Sequence, residues 1–186
     1  MRHANRIAIV VAILACGAAQ FSAAQISRRD PLNEKEVDEM RETADFPNKR
    51  LELLIKFARE RMTSIEQLRA DAGKAKDRPM QIHDLLEDFT SLLDEIDDNI
   101  DMYSSHKADM RNGLKLLIEA NSEWALSLRT LKTQSPPEEL DEYSFALTTA
   151  NDAVSDGADS ARQELAEQNT LAAQKKLTKV YSERKD

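Results

Sequence analysis

The densest chemistry in this sequence is a run of acids: Asp84, Glu87, Asp88, Asp94, Glu95, Asp97, Asp98 and Asp101. No lysine or arginine falls between Met80 and His106. On a helix, Asp94, Asp98 and Asp101 share one face and offer the oxygen ligands that a hard cation such as calcium takes. The same acids also read as partners for basic side chains on a neighbouring helix, or as a solvated surface where an exposed pair contributes under ~1 kcal/mol. No calcium-loop pattern accompanies them. His83 and Glu87 stand one turn apart, a two-ligand fragment that falls short of a metal site. His106 lies ~35 Å further along if one helix carries both, too far to share an ion. There is no Gly-rich phosphate loop, nucleophile elbow, haem attachment CxxCH or HExxH. The expectation is a protein without enzymatic activity and without a cofactor.

Those residues need elements to hold them, and proline and glycine mark where the elements begin and end. Asn33-Glu34-Lys35-Glu36 after Pro31 is a capping box that predicts a helix start. A stripe of helical period follows through Val37, Met40, Leu51, Leu54, Ala58, Met62, Ile65 and Leu68. Pro47 interrupts it and predicts a kink or a restart. Gly73 predicts the C-terminal cap, and residues 74–79 a polar loop. From Met80 to Gln134 there is no proline. Here Leu86, Phe89, Leu93, Ile96, Ile100, Tyr103, Lys107, Met110, Leu114, Leu117, Asn121, Trp124, Leu128 and Leu131 alternate steps of three and four. That heptad seam keeps its phase across the weak helical stretch from Ser104 to Gly113, so one long helix is expected in preference to two. Its two polar members, Lys107 and Asn121, fix register, reach solvent or meet a ligand within the bundle. Trp124, on the seam, is expected to anchor the core near Leu147 and Ala150. Ser135-Pro136-Pro137-Glu138 starts a third, alanine-rich helix whose small residues bury little area and leave it the least firmly held.

Three helices of about 40, 53 and 47 residues joined by short loops predict an elongated, antiparallel, coiled-coil-like three-helix bundle. Antiparallel folding about residue 75 places Lys56 near Glu95 and Arg50 near Asp101. A four-helix bundle, with an extra turn between Ser104 and Asp109, is the alternative. The domain reading is a leader over 1–24, a flexible segment over 25–32 and one helical domain over 33–183.

The leader reading rests on Arg2, His3 and Arg6, an apolar run from Ile7 to Ala15, and small residues ending in Ser22-Ala23-Ala24. That is the layout of a cleavable secretory signal, and its apolar run is shorter than the ~20 residues a bilayer requires. Cleavage after Ala24 would leave no cysteine, hence no disulfide. Ile13-Leu14-Ala15-Cys16 resembles the lipobox of bacterial lipoproteins, which implies the alternative of a lipid anchor at Cys16.

The chain holds 26 Lys+Arg against 34 Asp+Glu, a net of −8. With Arg2 and Arg6 removed, the remainder carries about −10, a surface that repels phosphate backbones and excludes nucleic acid as the expected partner. Charged residues at 32% beside 41% hydrophobic ones place the chain among folded proteins, and 5% aromatics with four glycines favour helices over sheet. The functional expectation is an exported scaffold or adaptor of the periplasm or cell envelope that binds a protein partner or itself through helix faces. A small-ligand or divalent-cation bundle using the acidic face, and a periplasmic holdase-type chaperone, are the alternatives. The chain lacks a Leu-Thr-x-x-Gln motif of the holdase kind.

Overall fold

The computed structural model describes residues 30–71, 73 and 76–183; the expected leader over 1–24, with Cys16, and residues 25–29 lie outside them. The described chain is all helical: α1 (Glu34–Glu42), α2 (Pro47–Ala70), α3 (Arg78–Ser105), α4 (Arg111–Gln134) and α5 (Pro137–Glu183). No described helix is long and apolar enough to cross a membrane.

The capping box at Asn33 forms. The Asn33 side chain accepts from Glu36 N–H at 3.1 Å, and the Glu36 carboxylate accepts from Asn33 N–H at 2.8 Å. Pro47 produces a full restart: α1 ends, the chain turns, and α1 lies antiparallel along α2. The contact is fastened by Arg61, whose guanidinium donates to both Glu36 oxygens at 2.9 and 2.6 Å and to the Pro31 carbonyl at 2.6 Å. Burial alone would raise the Glu36 carboxyl. The hydrogen bonds from Arg61 and Asn33, with the charges of Arg61 and Lys56, reverse this and hold it below its ordinary value of 4.5. A carboxyl lowered in the folded state contributes stability above its unfolded value and loses it as pH falls through the folded one. Acidification below about 4.5 is therefore expected to release α1 while α2–α5 persist. Amide chemical shifts of Val37 and Met40 followed against pH check this, and Glu36→Gln should show the released shifts already at neutral pH.

The expected single helix from Met80 to Gln134 is instead two. The chain breaks between Ser105 and Arg111, the stretch where the four-helix alternative places its extra turn. Lys107 there takes φ 56°, a left-handed conformation an unbroken helix cannot contain. The three-helix expectation fails because the turn consumes a number of residues that restores the heptad phase on the far side. Burial therefore continues along the seam although the helix does not.

Two helical hairpins, α2–α3 and α4–α5, build the core. Arg50 of α2 meets Asn99 of α3 at 2.6 Å, and Met110 N–H at the start of α4 meets Gln168 of α5 at 2.9 Å. The hairpins dock so that α2 runs parallel to α4 and α3 parallel to α5. The first pairing is held by Asn48 to Gly113 and Arg59 to Glu123, the second by Ser160 to Asp97 and Ser104 to Glu164. Across the remaining diagonal, α3 and α4 touch through Phe89 and Trp124, edge to face at 5.3 Å. At the opposite end from the α3–α4 turn, Arg78 pairs with Glu139 at 3.0 Å and closes the bundle.

Two expected caps differ. No described glycine takes a positive φ, so Gly73 does not form a left-handed cap; its N–H donates to the Asp71 side chain at 2.9 Å. The Ser135 hydroxyl donates to the Leu131 carbonyl at 2.6 Å, closing α4 rather than capping α5.

Candidate functional site

The apolar residues of the seam fold into the chain's own core. Phe89, Ile96, Tyr103, Met110, Leu117, Trp124 and Leu131 are all buried, none more than 7% exposed. No partner helix reaches them without unfolding the bundle. Lys107 is exposed in the turn, whereas Asn121 is buried at 2% exposure.

The acidic face of α3 divides among several neighbours. Glu95 lies 3.4 Å from Arg50, nearly two turns before the expected Asp101. Lys56 turns away from α3, to Glu39 at 3.3 Å and Glu60 at 3.9 Å. Asp97 accepts from Ser160 of α5 at 3.3 Å. Burial, with Asp101, Asp98 and Asp94 nearby, pushes the Asp97 carboxyl above its ordinary value, and the Ser160 hydroxyl offsets part of this. Asp94, Asp98 and Asp101 share the exposed side of α3. Among the described residues, the one place where three metal-ligating side chains come within 4.8 Å of one another is His83, Asp84 and Glu87. There the His83 ring nitrogens stand 3.7 Å from Asp84 and 4.0 Å from Glu87, on a partly exposed surface of α3.

Asn121 is different in kind. It lines a cavity of about 180 Å3 between α3, α4 and α5, and neither its amide oxygen nor its nitrogen has a hydrogen-bond partner. A Cβ placed on Gly157 would stand 3.9 Å from Asn121 Nδ2, so the missing side chain of that glycine is what leaves the amide facing open space. Leu93, Ile96, Leu117 and Ala153 give the cavity apolar walls, and Asp94, Asp97 and Asp156 bring carboxylates to it.

No known protein family, no curated protein and no solved structure matches this chain. Its functional reading therefore rests on geometry. Sequence reasoning singles out Asn121, and Asp84 within the acidic run, but not Asp156 or Gly157 as site residues. Those two become visible only once the Met110–Gln168 bond fixes the α4/α5 register, which sets Asn121 level with Gly157 and Trp124 level with Val154 instead of Leu147 and Ala150.

Proposed function

We propose that this chain is an exported, non-enzymatic helical bundle that acts as a scaffold or adaptor, and that its contact element is the far end of α5. The observation that carries this reading is a mismatch of lengths. At 1.5 Å per residue α5 is ~70 Å long, against ~36 Å for α4. Gln168 ties α5 to the α3–α4 turn, donating to the Ala108 carbonyl at 3.1 Å. Past it Thr170, Leu171, Ala173 and Lys175 are exposed, Leu171 at 52%. The apolar seam is spent inside the bundle, so a helix-face contact requires another surface, and α5 supplies one beyond the point where α3 ends and α4 begins. The segment 169–186 carries Lys175, Lys176, Lys179, Arg184 and Lys185 against Glu183 and Asp186. It is a basic end on an otherwise acidic chain, suited to the acidic face of a second copy or of an acidic protein partner. The leader pattern at residues 2–24 supports export.

Ending the chain at Gln168 tests the reading. The full chain is expected to self-associate in sedimentation velocity at low salt, and the shortened protein to keep its melting temperature and lose that association. Equal association of both forms, or none in either and no acidic protein retained by the full chain, would remove it. Hydrogen exchange gives a second check: amides between Tyr143 and Ala161 should exchange as slowly as those of α4, and amides from Thr170 to Lys175 far faster.

A further inference from the structure

We propose that the cavity at Asn121 is a binding site for a small organic cation, an alkylammonium whose other end carries a hydroxyl or carboxamide. The argument begins with the amide. A buried carboxamide left without partners costs ~1–3 kcal/mol relative to an apolar residue of similar shape. The seam position of Asn121 would otherwise be filled by leucine, as at Leu114, Leu117 and Leu128. Both atoms of the amide are unsatisfied, so the complementary group must donate and accept at one point, as a hydroxyl does.

The walls set the rest of the ligand. Leu93, Ile96, Leu117 and Ala153 suit a short methylene chain, and Asp94, Asp97 and Asp156 suit a positive charge. The three carboxylates are not among the described groups that converge within 4.8 Å, so one metal ion is not gripped by all of them. A cation extended along a hydrocarbon stem spans them, with its charge at the acids and its polar end on Asn121. Gly157 makes the room: any larger residue there would stand against the amide.

Ethanolamine and aminobutanol, titrated into the full-length chain by calorimetry at low salt, are the probes. Saturable binding with a Kd on the order of 1 mM is expected, weakened at least tenfold, about 1.4 kcal/mol, in Asn121→Leu and in Asp97→Asn. Asn121→Leu is also expected to melt above the parent protein, because it removes the unsatisfied amide. Asp97→Asn, on the open side of the cavity, keeps the test valid should Asn121→Leu fold poorly. Absence of binding by both amines, binding unchanged in Asp97→Asn or in a folded Asn121→Leu, or displacement of the amines by equimolar calcium chloride would each overturn the proposal.

Discussion

Trp124→Ala is expected to destabilise the protein by about 4 kcal/mol, the upper range for truncating a large buried aromatic. Trp124 is 2% exposed, its ring edge-on to Phe89 of the diagonally opposite helix. Alanine there removes the ring contact between α3 and α4 inside the core and leaves a void beside Phe89. The indole N–H has no acceptor, so the tryptophan contributes volume and ring contact without a hydrogen bond. It follows that Trp124→Phe should cost only ~1 kcal/mol, because it keeps a ring beside Phe89 and discards an unsatisfied donor. Urea denaturation followed by far-ultraviolet circular dichroism measures both variants, since neither retains the indole for fluorescence. A Trp124→Ala midpoint close to that of the parent would show that the two hairpins do not depend on this contact.

Gly113→Val should cost about 2–3 kcal/mol, through overpacking instead of a void. Gly113 lies at the start of α4, packed against Leu51 of α2. A Cβ on it would meet Leu51 Cδ1 at 2.9 Å and Leu51 Cβ at 3.0 Å. The Leu51 terminus can rotate away, but its Cβ moves only with the α2 backbone. The same crossing is clasped by Asn48, which accepts from Gly113 N–H at 2.9 Å and donates to the Asp109 carbonyl at 2.7 Å. Pushing α4 outward breaks both bonds. Gly113→Ala should fall between parent and valine, because alanine regains up to ~1 kcal/mol of helix propensity. The urea midpoints of the three proteins should therefore order as glycine, alanine, valine, and a valine variant as stable as the parent would mean that the crossing is looser than these distances require.

The helical class and the buried stripe were legible in the sequence because both depend on period alone. Every apolar seam residue from Leu86 to Leu131 is buried as its spacing indicates. Chain continuity was not legible. A turn of the right length preserves phase, and its one sharp signature, the left-handed Lys107, has no sequence marker because lysine rarely adopts that conformation. Pro47 was legible as a break but not as a reversal, since the reversal depends on Arg61 reaching Glu36 across 25 residues. At the candidate site, Asn121 stood out as a polar interruption. Asp156 and Gly157 did not, because their role exists only through a register that Gln168 sets at the far end of α5.

The parallel pairing of α2 with α4 and of α3 with α5 carries a kinetic consequence. The bonds that join these pairs link residues 60 to 65 positions apart in the chain. Each hairpin closes over a short loop and forms early, but neither buries its inner face until the other arrives. The bundle thus has a higher contact order than an all-antiparallel arrangement of the same helices, and its refolding should be correspondingly slower. Until the hairpins meet, each is a half-core whose apolar face is open to water.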